Sequence, residues 1–204
     1  NTMFPAEWAR PDDLNQYEYN PDKARELLAE AGWNSSEPIV FAYYYRDDVY
    51  ANVVVAIQQY LADVGINIEP RLVDSATLNA MRDDGSFELG LFANGQGLDP
   101  SVGSIITACV GGFFTLGYCN ERVDELMALG LTEAEREARQ PYYHEVSRIL
   151  NEELNKGWLW YDVRVLAFNK RIEGLAQHFE EQPLIFFDVP VYNEIETWYA
   201  TDGR

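Results

Sequence analysis

The 204-residue sequence predicts an α/β protein in which βαβ units build a sheet flanked by helices. Two observations lead there. Between residues 20 and 93, apolar runs of strand length alternate with amphipathic runs of helix length. The stretch between the first two strands is also long enough to hold a helix, so those strands run parallel with a right-handed crossover.

The first helix is written in "YNPDKARELLAEAGW", residues 19–33. Asn20 caps the free amides, Pro21 occupies the first helical position and Asp22 complements the positive end. Ala24, Leu27, Leu28 and Ala31 form one apolar stripe, and Gly32 ends it. "PIVFAYYYR" reads as a buried strand rich in β-branched and aromatic residues. From about Asp47 to Val64, the set Tyr50, Val54, Ile57, Leu61 and Val64 steps by four and three, an amphipathic helix stopped by Gly65. "INIEPRLVD" follows as a strand, then a helix around Ser75 to Arg82 and the strand "FELGLFA".

Further on, helices are expected at about Glu121 to Leu129 and about Glu133 to Asn155. The second carries Ala138, Tyr142, Val146, Ile149, Leu150 and Leu154 on one face, and Pro141 predicts a kink or a late start. "GWLWYDVRVLAFNKRIEGL" reads as a strand or hairpin edge, and the tail from Gln182 fits neither period. The chain opens Asn1-Thr2-Met3 and is expected to be an excised or processed piece.

Composition narrows the function classes. A chain 47% apolar and 14% aromatic can fill one large domain or a lobe of something larger. A net charge of −19 without a basic stripe repels phosphate backbones, which removes nucleic acid as a partner. No apolar run is long enough for a membrane-spanning helix.

Cys109 and Cys119 have nine residues between them in "ACVGGFFTLGYCN". They are either two buried reduced thiols or a disulfide. The disulfide is the favoured reading, adds about 3 kcal/mol by closing the loop, and implies an oxidising compartment. Two thiols make too small a ligand set for a metal, and His144 and His178 stand far off without metal-binding spacing.

The stretch "FELGLFANGQGLDPSVG" runs from a strand into a glycine-rich turn, and ligands of open α/β sheets sit beyond such strand ends. The turn lacks the lysine of a phosphate loop and the third glycine of a dinucleotide loop. No serine or cysteine frames either histidine for nucleophilic catalysis, and nothing calls for a cofactor. Aromatic residues are the better cue. Tyr43, Tyr44, Tyr45 and Tyr50 gather near one strand end, Phe92 leads into the turn, and Asn94, Gly95, Gln96 and Gly97 follow. Aromatic faces with neutral amides suit sugars or peptide backbones.

Five strings in order resemble the C-terminal lobe of an extracellular solute-binding protein of the peptide, oligopeptide and nickel type (family 5), the receptor of an ABC importer. They are "YNPDKARELLAEAGW", "AIQQYLADVGINIEPRLVD", "FELGLFANGQGLDPS", "YCNERVDELMALGLTEAEREARQPYYHEVSRILNEEL" with its early arginine, and "AFNKRIEGL". The resemblance implies a periplasmic-binding-protein-like lobe of type II with a mixed sheet. Residues 19–175 would be the lobe, 1–18 the crossover from a missing N-terminal lobe, and 176–204 the return. It implies capture of a small-molecule ligand, a sugar or peptide, between two lobes, with delivery to ABC permease subunits in the membrane, an extracytoplasmic location and no catalysis. The site residues expected are Phe92, Asn94, Gly95, Gln96, Gly97 and Tyr45. In peptide receptors of this kind an aspartate three residues before the Asp-Pro pair binds the ligand's amino group; here that position is Gln96, which is neutral. Asp99 and Pro100 are expected to shape the turn, and some relatives carry a cysteine pair after it, as Cys109 and Cys119 do. Two alternatives are a ligand-sensing lobe of a cytoplasmic transcriptional regulator and a hydrolase with acidic catalytic residues.

Overall fold

The computed structural model describes residues 2–34, 36–93, 99–112, 115–161, 169, 171–173 and 199–200. The chain divides into two compact units, one of residues 16–94 and one of residues 1–15 with 95–204.

The unit 16–94 is the βαβαβ layer. Its elements are α1 (Pro21–Glu30), β1 (Ile39–Tyr43), α2 (Asp48–Asp63), β2 (Ile68–Leu72), α3 (Ser75–Asp84) and β3 (Leu89–Leu91). The strands pair in the order β2-β1-β3, all parallel, with Phe41 opposite both Pro70 and Leu89. Pro70 has no N–H to donate, which the edge strand β2 tolerates. Each helix begins where a side chain accepts orphan amides: Asn20 from Lys23, Asp47 from Val49 and Tyr50, and Asp74 from Thr77. Phe41, Val54, Ile68 and Leu91 form the core, with Ile57 and Leu61 of α2 packed on it.

The α1 stripe departs from expectation. Ala24 and Leu28 are half-buried, whereas Leu27 and Ala31 are exposed. Arg25, on the neighbouring side of the helix, reaches α2. Its guanidinium, itself exposed, donates to the carbonyl of Asp63 at the end of α2 (3.0 Å) and ties the two helices together.

The other unit contains a 3-10 turn at Glu7–Ala9, another at Pro100–Gly103, α4 (Ser104–Thr107), α5 (Glu121–Thr132) and α6 (Arg136–Glu153). Two short strands, β4 (Ile172–Glu173) and β5 (Tyr199–Ala200), pair antiparallel. Met3, Phe4, Ala6 and Ala9 pack with Ile106, Val123, Leu126, Met127, Tyr143, Val146 and Leu150 into one core. The helix α6 starts three residues later than the pattern from Glu133 suggests, which places Pro141 in its second turn, and it continues through that proline.

The buried face of α6 is Tyr143, Val146, Ser147, Leu150 and Asn151, turned from the predicted face that included Ala138, Tyr142 and Leu154. The first fifteen residues supply the reason. Ser147 donates to the carbonyl of Ala9 (3.3 Å), and Asn151 both accepts from the Asn15 amide (2.9 Å) and donates to the Asn15 carbonyl (3.0 Å). Polar side chains satisfied in this way can be buried, so an apolar pattern does not locate them.

Candidate functional site

In the unit 16–94, the carboxyl ends of β1 and β3 carry the aromatic cluster predicted from sequence. The rings of Tyr45 and Tyr50 stack at 4.0 Å between centroids, and those of Tyr44 and Tyr45 lie 4.3 Å apart. The Tyr44 and Tyr45 hydroxyls are hydrogen-bonded (3.0 Å), and the Ala93 amide donates to the Tyr45 hydroxyl. Burial, followed by the bond to Tyr44, pushes the Tyr45 phenol well above the ordinary tyrosine value, so it stays neutral.

Phe92 is half-buried and its ring lies 5.9 Å from that of Phe87. Gly90 permits this, since a Cβ there would collide with the Phe92 ring. Tyr45 and Phe92 therefore lie just beyond the carboxyl ends of the paired strands β1 and β3. The other expected site residues, Asn94, Gly95, Gln96 and Gly97, lie outside the described residues, as does His178.

In the unit 1–15 with 95–204, Asp99 and Pro100 open the 3-10 turn. Asp99 accepts from the Ser101 amide (2.9 Å) and receives a two-pronged bond from Arg139, at 2.7 Å from Nη1 and 2.6 Å from Nη2. Arg139 further donates to the Gly130 carbonyl (2.9 Å) and the Tyr143 hydroxyl (2.8 Å). The hydrogen bonds from Arg139 hold the Asp99 carboxyl far below the usual carboxylate range, against the opposing effect of burial. Trp8 lies under both Arg136 and Arg139, 5.6 and 5.7 Å from ring centroid to guanidinium carbon. With Ala134 these residues line an open cleft of about 350 Å³. Asp99 and Arg139 satisfy one another, so this is a brace for the turn. Sequence reasoning did not single out Arg139 or Trp8; the early arginine of the long helix was the available signal.

Cys109 and Cys119 are joined as a disulfide, which settles the open choice between bridge and free thiols. Both ends of the bridged loop are tied down. The Cys109 amide donates to Asp124 (3.0 Å), and Glu153 accepts from the Tyr118 hydroxyl (2.5 Å) and the Asn120 side chain (2.8 Å). His144 is half-buried beside the Trp8 carbonyl, 3.0 Å from its Nε2, as a packing side chain would be. Among the described residues no group of histidine, cysteine and carboxylate side chains could hold a metal ion, and no helix is long and apolar enough to cross a membrane.

This arrangement matches known proteins. The family described as "Bacterial extracellular solute-binding proteins, family 5 Middle" matches residues 1–112, more than half of the chain. A Brucella ovis protein with a provisional name as an ABC transporter peptide-binding protein is 34% identical over 187 residues, covering 85% of this chain and 35% of its own. Heme-binding protein A of Haemophilus influenzae is 25% identical over 193 residues, covering 87% of this chain and 34% of its own. The solved structure of the oligopeptide-binding protein AppA of Bacillus subtilis, in complex with a nonapeptide, superposes with a TM-score of 0.73 at 19% identity, over 96% of this chain and 40% of that one. The chain belongs to the family 5 bacterial extracellular solute-binding proteins, and its fold is that of a periplasmic binding protein. It spans about a third of the length of the relatives it matches.

Proposed function

We propose that this chain is the C-terminal ligand-binding lobe of an extracytoplasmic receptor that captures peptides and delivers them to an ABC permease. The observation that carries this reading is the family match over residues 1–112, which spans the parallel sheet and the turn opened by Asp99. In this reading residues 19–175 are the lobe, 1–18 enter from the N-terminal lobe and 176–204 return to it.

The peptide is favoured as ligand by the name of the Brucella relative and by the nonapeptide bound to AppA. A sugar has only the neutral Gln96 and the aromatic rim in its favour, and those serve a peptide backbone equally. In this reading Phe92, Asn94, Gly95, Gln96 and Gly97 are the residues of this chain that meet the ligand. The mechanism is a shift of population toward the closed form, driven by the higher affinity of that form for ligand, and no bond is made or broken.

The Cys109–Cys119 bridge supports an oxidising compartment over the cytoplasm, and so the importer receptor over a cytoplasmic sensor.

Native mass spectrometry of the full-length parent, purified without denaturant, tests the proposal. A spread of co-purified peptide masses is the expected result. One discrete saccharide mass would overturn the peptide assignment, as would a protein that neither carries nor takes up nonapeptides.

A further inference from the structure

The sequence places Tyr45 among the residues that touch ligand, and its surroundings leave it little with which to do so. Its ring has Tyr50 at 4.0 Å and Tyr44 at 4.3 Å. Two rings at those distances and shallow tilts cannot share one face of a third without colliding, so both faces of Tyr45 are covered. A phenol has one proton and two lone pairs. Here the oxygen takes the Ala93 amide and shares a hydrogen bond with the Tyr44 hydroxyl. Burial keeps that phenol protonated at any ordinary pH.

The cluster is itself anchored. Asp47 accepts the amides of Val49 and Tyr50 at the start of α2 (3.1 and 3.2 Å), so the cap of that helix sets the height at which Tyr50 meets Tyr45. On the other side the bond reaches Ala93, two residues beyond the end of β3 and immediately before Asn94. Phe92, between them, is packed on Phe87 across the space left by Gly90. A side chain from the end of β1 thus holds the main chain where β3 gives way to the glycine-rich stretch.

We infer that Tyr45 is a positioning residue: its hydroxyl fixes the main chain at Ala93, and it acts on ligand affinity through that chain and not by contact. This rests on the peptide-receptor reading and replaces the sequence expectation for Tyr45.

The test uses the full-length parent with Tyr45→Phe, which keeps the stacked ring and removes only the hydroxyl. Two quantities are read: hydrogen–deuterium exchange of the segment containing Ala93 in the ligand-free protein, and affinity for an equimolar mixture of unmodified nonapeptides. The expected result is faster exchange at Ala93, an affinity about five-fold lower, as for one lost hydrogen bond, and an almost unchanged melting temperature. Tyr44→Phe should give the same changes in smaller measure. Lower affinity with unchanged exchange would make Tyr45 a ligand contact and overturn the inference. So would faster exchange with unchanged affinity. If the wild-type parent takes up no peptide, the peptide reading falls, and the exchange measurement alone then decides whether the hydroxyl holds Ala93.

Discussion

Asp99 and Arg139, forty residues apart, meet as a fork, with Nη2 to Oδ1 at 2.6 Å and Nη1 to Oδ2 at 2.7 Å. The pair joins the 3-10 turn after the glycine-rich stretch to the first turns of α6. Arg139 is the better buried partner, and it is also bonded to the Gly130 carbonyl and the Tyr143 hydroxyl. An acid side chain that caps a turn and neutralises a half-enclosed guanidinium has two roles that one substitution removes.

Asp99→Ala should therefore destabilise the full-length parent by about 2 kcal/mol, the sum of a lost cap and a lost charge-assisted bond. Replacing Arg139 with Lys should recover only part of the pairing, since an ammonium cannot reproduce the fork. Denaturant titration of both variants checks this. Equal stability of Asp99→Ala and wild type would show that the fork carries no net free energy.

The same pair predicts an acid limb. Bonds from Arg139 hold the Asp99 carboxyl below its ordinary value in the folded protein. A depressed folded pKa means that its stabilisation is fully present above the unfolded value, near 4, and is lost as pH falls toward the folded value. The stability gap between wild type and Asp99→Asn should be constant from pH 7 to about 5 and narrow below about 4. A gap that stays constant to pH 3 would contradict the assignment.

Gly130 sets two effects against each other. It lies within α5, where alanine is the better helix former by about 1 kcal/mol. A Cβ there would stand 2.7 Å from Cζ and the hydroxyl of Tyr143, a fully buried ring that packs edge-on against Phe4 and Trp8. Overpacking in such a site costs about 1–3 kcal/mol, so Gly130→Ala should destabilise on balance. Thermal unfolding measures the sign, and a stabilised variant would mean that the ring shifts freely.

The Cys109–Cys119 bridge should contribute about 3 kcal/mol by restricting the unfolded chain. Intact mass should rise by two hydrogens on reduction, with a matching fall in the denaturation midpoint. The double substitution to serine should show the same fall, and no difference would mean that the bonds accepted by Asp124 and Glu153 hold the loop unaided.

Gln96 carries the ligand prediction. In the full-length parent, Gln96→Ala should weaken nonapeptide binding without unfolding the protein. Gln96→Asp should raise affinity for peptides with a free amino terminus over their acetylated forms, since a carboxylate pairs with an ammonium and a neutral amide does not. Equal response of free and acetylated peptides would place the amino terminus elsewhere in the cleft.

Much of this protein is determined within a few residues of chain. Asn20, Asp47 and Asp74 start helices by accepting amides two or three residues on, and β1 and β2 follow from short apolar runs joined by an amphipathic helix. Capping and periodicity are local, so the order of elements, the parallel pairing and the aromatic strand end are legible in the amino-acid sequence alone. The bridge of Cys109 to Cys119 is the favoured reading of the sequence, and the fold decides it against free thiols.

Tertiary structure decided whatever depends on partners brought from far along the chain. Arg139 is one arginine among many until it meets Asp99. The face of α6 turns because Ser147 and Asn151 find main-chain partners at Ala9 and Asn15, more than 130 residues away in sequence. Tyr45 offers a ring and a hydroxyl by sequence, and in the fold Tyr44 and Tyr50 stack on the ring and the Ala93 amide bonds the hydroxyl. In each case the sequence determined the chemistry a side chain can offer, and the packed fold determined where that capacity is spent, because burial is stable only where each polar group finds a partner.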